Sequence, residues 1–323
     1  MPQVTYASAA MQAVREEMRN DPRVFVIGQD VEAIYGPRTV REFGTERIRN
    51  TPISEAGFFG AGIGAALTGL RPLIEAGVST FLYSGMDQIV SQAAKMRYMF
   101  GGQARVPLVI RATVAYAAAM AAHHSDRPWG LFAQIPGLKI IVPATPYDLK
   151  GLLKAAIRDD NPVLCFEDST LRELRGEIPD GDYTVPIGQA QIKRAGWDVT
   201  LIALAGAVHH SLTAARRLEE EGVSVEVVDL RTVVPLDRQT ILQSVTRTGR
   251  LVVVDPAPGM CSVSSEVAAT AAEHAFDCLK APVLRLTAPD VPVPFSPALE
   301  PLLYPTVEAI VNAARRLCGT QRG

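Results

Sequence analysis

The sequence has few cysteines and no excess of positive or negative charge, and each of these absences excludes a class of protein. The four cysteines Cys165, Cys261, Cys278 and Cys318 share no metal-type spacing, and Cys165 lies in the apolar run "PVLCFED". Neither a zinc site nor a disulfide framework is therefore indicated. Thirty-two Lys and Arg stand against 34 Asp and Glu. Without a dense basic run, we expect no nucleic-acid partner.

Long apolar runs are missing as well. No stretch reaches the roughly 18 uninterrupted apolar residues that a membrane span requires. The first twenty residues carry Glu16 and Glu17 where a signal peptide would be apolar. We therefore expect a cytoplasmic protein with no membrane association.

What is present is the composition of an ordinary globular protein. The chain has 323 residues, 48% hydrophobic and 20% charged, and this length favours two domains of about 150 residues each. Strand-length apolar runs alternate with amphipathic stretches, which predicts an α/β fold with two doubly wound domains. Residues 173–197 are rich in Gly, Pro and charge, so we place the boundary at 190 and expect domains at 1–190 and 191–323. The strand-like runs are RVFVIG, RPLIEAG, VPLVIRA, LKIIVPA, PVLCFED, DVTLIAL, VSVEVVDL, RLVVVD and APVLRLT, and the clearest helices are SAAMQAVREEMRN, YDLKGLLKAAIRD, SLTAARRLEEEG and SSEVAATAAEHAF.

The stretch "SEAGFFGAGIGAALTG" from Ser54 to Gly69 admits three interpretations. Its glycines could form a dinucleotide fingerprint, but the pattern is GxGxG and the next acid, Glu75, comes too soon for a ribose contact. The small residues could simply let a helix pack closely, with Glu55 at its amino end. Glu55 could also exchange a proton with a ring nitrogen of a cofactor, because a carboxylate beside Phe58 and Phe59 is partly desolvated.

Several long blocks carry a resemblance to a known family. "TPISEAG", "LVIRA", "IPGLKIIVPATPYDLKGLLKAAIRDDNPV", "VVDLRTVVPLD" and "APDVPVPFSPALE" occur in the order and spacing of one type of chain. The sequence resembles the beta subunit of the thiamine diphosphate-dependent decarboxylase component of 2-oxo acid dehydrogenase complexes over nearly its whole length. This transketolase-like family includes the pyruvate, branched-chain and acetoin dehydrogenase beta subunits. The resemblance implies a pyrimidine-binding domain followed by a transketolase carboxyl-terminal domain.

The resemblance also implies partners and cofactors. The beta subunit would be active only with an alpha subunit, in an α2β2 heterotetramer that holds thiamine diphosphate at each alpha–beta interface. Magnesium would be held by the alpha subunit, since the Gly-Asp-Gly segment that opens the metal-binding motif is absent here. The expected reaction decarboxylates a 2-oxo acid and transfers the acyl unit to a lipoyl group on an acyltransferase or carrier protein.

The family's active-site residues map onto three positions of this chain. Glu55 matches the glutamate that hydrogen-bonds the aminopyrimidine ring and promotes the tautomer that removes the thiazolium proton. Phe81 matches the aromatic residue that packs on the pyrimidine. His124 matches the histidine at the substrate end of the cofactor. Taken alone, Phe81 would be an ordinary core residue, and His123 with His124 an ordinary polar loop pair.

The resemblance also implies two further sets of candidate residues, for which the side chains themselves give less support. His123 and Arg127 are candidates for the substrate side, and the Arg127 guanidinium could meet a carboxylate or a phosphate or simply pair with Asp126. Five positions match those where relatives often bind potassium, mostly through backbone oxygens. The alternative there is a tight helix end before Pro162. The five are Leu108, Ala156, Ile157, Asp159 and Asn161.

The chain departs from the family pattern on several loops. Gln29 stands where an acid is usual, and an amide cannot relay a proton as a carboxylate does. The segment "VEAIYGPRTVREFG" is shorter than usual, and "VVVDPAPGMCSVSSEV" replaces a more acidic form. These changes motivate two rivals. One is a transketolase-like enzyme that passes a two-carbon hydroxyacyl unit from a ketose (phosphate) or a hydroxy-ketone to a lipoyl or carrier-protein thiol. The other is a cofactor-free scaffold subunit.

Overall fold

The structure, a computed structural model, describes residues 2–115 and 118–319. Its strands are β1 (Gln3–Thr5), β2 (Val24–Gly28), β3 (Ile48–Asn50), β4 (Arg71–Val78), β5 (Val109–Val114), β6 (Lys139–Ile141), β7 (Val163–Asp168), β8 (Arg175–Glu177), β9 (Gln191–Arg194), β10 (Val199–Ala203), β11 (Val225–Asp229), β12 (Thr232–Val234), β13 (Leu251–Pro258) and β14 (Leu284–Ala288). Its α-helices are α1 (Tyr6–Asn20), α2 (Val31–Phe43), α3 (Glu55–Leu67), α4 (Met96–Met99), α5 (Trp129–Ala133), α6 (Pro146–Arg158), α7 (Ala207–Glu219), α8 (Arg238–Thr248), α9 (Val263–His274) and α10 (Val307–Cys318).

Six strands of the first half and β12 form a seven-stranded sheet in the order β12-β6-β7-β5-β4-β2-β3, parallel except at β12. Successive residues of its strands enter different cores because side chains alternate across a strand. Val24 and Val26 pack with α1 and α6 on one face, and Phe25 and Ile27 pack with α3 on the other. The sheet is therefore covered on both faces, as the doubly wound prediction requires.

The second half forms a five-stranded sheet in the order β14-β13-β10-β11-β9, parallel except at β9. One face packs on α7 and α10, and the other contributes residues such as Ile202 and Val253 to the core that also holds Phe59 and Phe166 of the first half. The two halves therefore share a continuous apolar interior. The boundary at residue 190 stays a prediction, with β9 beginning at Gln191.

The nine predicted strand runs and four predicted helices are all confirmed as elements of these types, within a few residues at each end. The edge strands β1, β3, β8, β9 and β12 were not predicted. Each is three or four residues long, which is too short for an alternation pattern to be recognised.

Strand β12 belongs by sequence to the second half, yet it pairs antiparallel with β6 of the first sheet. Thr232 lies opposite Ile141, and Val234 lies opposite Ile140. The edge of the first sheet is thus closed by a segment from beyond residue 230.

A buried charge cluster joins the same two regions. Asp148 in the first turn of α6 is fully buried; its Oδ2 accepts a hydrogen bond from Lys193 Nζ at 2.6 Å, and its Oδ1 pairs with Arg231 at 2.5 Å. Asp229 lies 3.5 Å from the same Lys193 nitrogen. Burial raises the pKa of Asp229 to about 6, against the opposing charge of Lys193.

This pKa predicts a dependence of stability on pH. The folded state binds the Asp229 proton more tightly than the unfolded state, so folding loses stability as the pH rises from about 4 to about 6. At about 1.4 kcal/mol per pKa unit, the full effect is about 3 kcal/mol. The Asp229→Asn variant lacks this titration. The free energy of unfolding of wild type, measured in urea, should therefore fall relative to that of the variant as the pH rises across that range. A difference that stays constant with pH would contradict the assignment.

No helix in residues 2–115 and 118–319 is long and apolar enough to cross a membrane. Within the same residues, no group of three or more His, Cys, Asp or Glu side chains is arranged to hold a metal ion.

Candidate cofactor and active site

A cavity of about 250 Å³ lies at the carboxyl ends of β2 and β4, where parallel sheets usually bind ligands. The structure brings Glu55, Phe81 and His124 together in its wall, although they lie on three separate segments. The other lining residues are Gln29, Asp30, Ile34, Phe58, Glu75, Ala76, Gly77, Val78 and Met120. A carboxylate, an aromatic ring and an imidazole around one small cavity suit a flat, proton-exchanging ring.

Glu55 is the first residue of α3 and is half-buried. Phe58 and Phe59, one turn further on, are buried in the core and fix the start of the helix. The glycines predicted as a possible dinucleotide loop lie inside α3. A Cβ at Gly62 would lie 2.5 Å from Ile74 Cδ1, so that glycine serves close packing on β4. The small residues thus place α3 tightly on the sheet and leave its acidic end at the cavity.

Phe81 and His124 meet edge to face, with ring centroids 5.5 Å apart and an interplanar angle of 78°. The His124 Nδ1 lies 3.2 Å from the Met120 carbonyl oxygen. Because a carbonyl only accepts, Nδ1 carries the hydrogen of this bond, and Nε2 is the ring nitrogen left for another partner.

The short helical turn Ala122–His124 that carries this histidine is tied to the segment Ser79–Gly85. Thr80 Oγ1 donates to the His123 carbonyl, and Ser79 Oγ donates to the Asp126 carbonyl at 2.6 Å. These bonds fix the distance between Phe81 and His124 because both segments then move as one unit.

A buried polar network lies beneath the cavity. Arg111 on β5 bonds Glu75 Oε1 at 2.5 Å and forms a fork to Glu167 at 2.6 and 2.9 Å. Tyr35 donates its hydroxyl to the same Glu75 oxygen at 2.5 Å. Burial raises the pKa of Glu75, and the charge of Arg111 opposes this rise. Burial and the Glu75 charge also raise the pKa of Tyr35, so its hydroxyl remains a donor.

The two candidate substrate residues lie elsewhere. The His123 side chain is exposed and does not line the cavity. Arg127 is buried, with its guanidinium 4.2 Å from the centre of the Tyr304 ring. It lines a neighbouring cavity of about 210 Å³ together with Tyr83 and Asp126. Their role toward substrate stays a prediction.

The five candidate potassium positions do converge on the end of α6, but their oxygens are already bonded. Arg71 Nη1 donates to the carbonyls of Ile157 and Asp159 at 3.0 and 2.9 Å. The Leu108, Ala156 and Asn161 oxygens accept from Val163, Asp159 and Arg97. Arg71 thus already brings a positive charge to two of these carbonyls, and the assignment of potassium to the five positions stays a prediction.

The loop after β2 contains two of the departures from the family pattern. Gln29 lines the cavity, and its amide donates to Asp30 Oδ2 at 3.1 Å. Helix α2 is interrupted at Gly36, whose φ of 74° and ψ of 163° are not helical, and Pro37 follows. The short segment therefore makes one isolated turn beside the cavity before the chain continues.

Sequence reasoning missed Glu75, Tyr35 and Ile34 as parts of the site. A signal was present, because "RPLIEAG" and "LVIRA" each contain one charged residue inside a buried strand. Glu75 and Arg111 are direct partners in the β4–β5 register. Opposite charges in neighbouring buried strands predict a pair, since a buried charge is seldom tolerated alone.

Comparison with known proteins gives the class of this chain. Residues 2–172 match the model of the transketolase pyrimidine-binding domain, and residues 188–310 match that of the transketolase carboxyl-terminal domain. A solved chain described as a split-gene transketolase, inactive beta4 tetramer, has the same fold, with a TM-score of 0.82 at 22% identity over 99% of each chain. The protein is therefore a two-domain transketolase-like α/β protein.

Its family follows from curated relatives of similar length. The acetoin:2,6-dichlorophenolindophenol oxidoreductase beta subunit of Bacillus subtilis is 45% identical over 98% of this chain and 97% of that protein. From the same organism, the 2-oxoisovalerate dehydrogenase beta subunit and the pyruvate dehydrogenase E1 beta subunit are each 42% identical, over 97% and 98% of this chain and 98% and 99% of those proteins. The chain belongs to the beta-subunit family of thiamine diphosphate-dependent 2-oxo acid dehydrogenase E1 components.

Proposed function

We propose that this chain is the beta subunit of an enzyme that decarboxylates a 2-oxo acid and transfers the acyl unit to a lipoyl group. The observation that carries the proposal is the cavity that unites Glu55, Phe81 and His124. The family membership supports it, because the pyruvate and 2-oxoisovalerate relatives bear the names of 2-oxo acid dehydrogenases.

Each residue has a role that follows from its position. Thiamine diphosphate, when bound, supplies a carbon nucleophile that the protein lacks. Glu55, at the positive end of α3, would exchange a proton with the pyrimidine ring. Phe81 would present its apolar face to that ring. His124, with Nδ1 held by Met120, would accept or return a proton at Nε2.

The partners are proposed on the same basis. We infer an alpha subunit in an α2β2 assembly that holds the diphosphate and magnesium, since the similar proteins are named as beta subunits and this sequence lacks the Gly-Asp-Gly segment that opens the family's metal-binding motif. A lipoyl-bearing acyltransferase or carrier protein would accept the acyl unit in the cytoplasm. The domains would divide near residue 190. His123 and Arg127 would lie toward the substrate side only if the alpha subunit extends the site beyond this cavity. Potassium at the five positions near the end of α6 would be a further ligand of this chain, next to the Arg71 guanidinium that bonds two of their carbonyls.

A second candidate is a hydroxy-ketone or ketose donor in place of a 2-oxo acid. The observation in its favour is that two acetoin oxidoreductase beta subunits are 45% and 44% identical to this chain. The same cavity would suit both donors, because both would react at the same cofactor carbon and they differ only in the leaving group.

Product analysis separates the two candidates. The chain is reconstituted with its alpha partner, thiamine diphosphate, magnesium and a lipoylated acceptor, and it is offered 2-oxo acids and hydroxy-ketones or ketose phosphates in separate reactions. Carbon dioxide release and an acyl-lipoyl adduct from a 2-oxo acid are the expected results in mass spectrometry. An adduct formed only from a ketose or a hydroxy-ketone would overturn the first candidate in favour of the second.

A further inference from the structure

One part of the cavity wall is a single helical turn, residues 31–35 of α2, whose Ile34 lines the cavity. It is isolated on both sides, because Asp30 before it has a φ of 54° and Gly36 after it has a φ of 74°. One turn of helix is not stable by its own hydrogen bonds, because fixing its backbone costs more free energy than those bonds contribute. The position of this turn therefore depends on tertiary contacts.

The turn has two faces at helical spacing. Val31 and Tyr35, four residues apart, are buried in the core that contains α1 and α6. Asp30 and Ile34, also four apart, line the cavity with Glu55. Ile34 is 46% exposed, so an apolar side chain is presented to the cavity with little packing of its own.

The contact that orients the turn is the Tyr35 hydroxyl. It donates to Glu75 Oε1 at 2.5 Å and accepts from Arg111 Nη1 at 3.0 Å. Apolar packing of a ring allows rotation and sliding, whereas a hydrogen bond to a buried, paired carboxylate defines one position. Glu75 also lines the cavity, so the same bond ties the wall to the floor.

We propose that Tyr35 is a positioning residue for the cofactor, which holds residues 31–35 as a preformed wall against the pyrimidine ring. The proposal rests on the proposed function, because that function assigns the cavity to this ring. A preformed wall saves the cost of ordering it on binding, so its loss weakens cofactor binding more than it slows the bound enzyme.

The test compares two buried tyrosines that each lose one hydroxyl. Tyr35→Phe is the probe, and Tyr6→Phe is the matched control, because the Tyr6 hydroxyl donates to the Pro143 carbonyl at 3.0 Å, outside the cavity. Each variant is assembled with the alpha subunit, and the Kd of thiamine diphosphate with magnesium is measured by calorimetry. Y35F should raise the Kd about tenfold, the change expected when a hydrogen bond to a charged group is lost. Its kcat at saturating cofactor should stay within about twofold of wild type.

Y6F should lower the thermal midpoint but leave the Kd unchanged. Equal Kd values for Y35F and Y6F would overturn the proposal and leave Tyr35 a purely structural residue. Should the Y35F assembly not form, Ile34→Ala decides, because its exposed side chain can be shortened without loss of core packing. An unchanged Kd for I34A would then overturn the proposal. Failure of the wild-type assembly to bind thiamine diphosphate would instead reject the proposed function.

Discussion

Replacing Glu55 by Gln should slow turnover of the assembled enzyme by a factor of about 10²–10⁴, the usual contribution of a positioned acid–base group. The amide keeps the size and the hydrogen-bonding reach of the carboxylate but cannot give up or take back a proton. The loss should appear in kcat at saturating cofactor, because the shape of the cavity is unchanged. Steady-state assays with the preferred donor measure it directly.

Glu308→Gln is the control for this experiment. Glu308 is also a glutamate in the first turn of a helix, but that helix is α10, whose residues do not line the cavity. The two variants should unfold at the same temperature, and only E55Q should lose turnover. Full activity in E55Q would remove Glu55 from the chemistry and reject the assignment of the site.

Asp148→Asn should lower the free energy of unfolding by about 3–5 kcal/mol, because it removes one of the two carboxylates of a buried ion cluster and leaves its two cations with Asp229 alone. Lys193 and Arg231 lose the carboxylate that both of them contact. The Asp148 side chain also accepts a bond from Thr145 Oγ1 at the start of α6. Urea unfolding followed by circular dichroism measures the change.

The control for that variant is an exposed ion pair on another helix. Glu266 pairs with Arg238 at 2.7 Å, and both side chains are more than half exposed. Glu266→Gln should leave the unfolding midpoint where it is, since water compensates an exposed charge. A D148N midpoint equal to that of E266Q would mean that the buried cluster contributes no net stability.

Much of the fold could be predicted from the sequence because both sheets are mostly parallel and covered on both sides. Such strands read as short continuous apolar runs, and "RVFVIG" and "RLVVVD" are too short and too rich in valine to indicate a buried helix. Strand β12 could not be predicted, because it has only three residues and pairs with a strand about ninety positions earlier. No local sequence pattern indicates such a pairing. The sequence contains a signal for the break in α2, because the backbone preferences of Gly36 and Pro37 oppose a continuous helix.

Three residues of the cavity were named from the sequence, and the residues that support them were missed. Glu55 lies in a block that carries the family resemblance, Phe81 and His124 were assigned from the resemblance outside those blocks, and the structure brings all three to one cavity. Their roles stay predictions. Tyr35 acts through a bond to Glu75, forty residues away in sequence. Long-range hydrogen bonds of this kind depend on strand order, which the apolar pattern does not specify.

The pairing of β12 with β6 also bears on how the chain is made. During synthesis β6 is complete long before Thr232 emerges, and about ninety residues at 5–20 per second amount to several seconds. Throughout that interval one edge of the first sheet offers unpaired backbone groups to any neighbouring chain. A fragment that stops near residue 190 keeps that open edge permanently, so it should self-associate, whereas the full chain supplies its own closing strand.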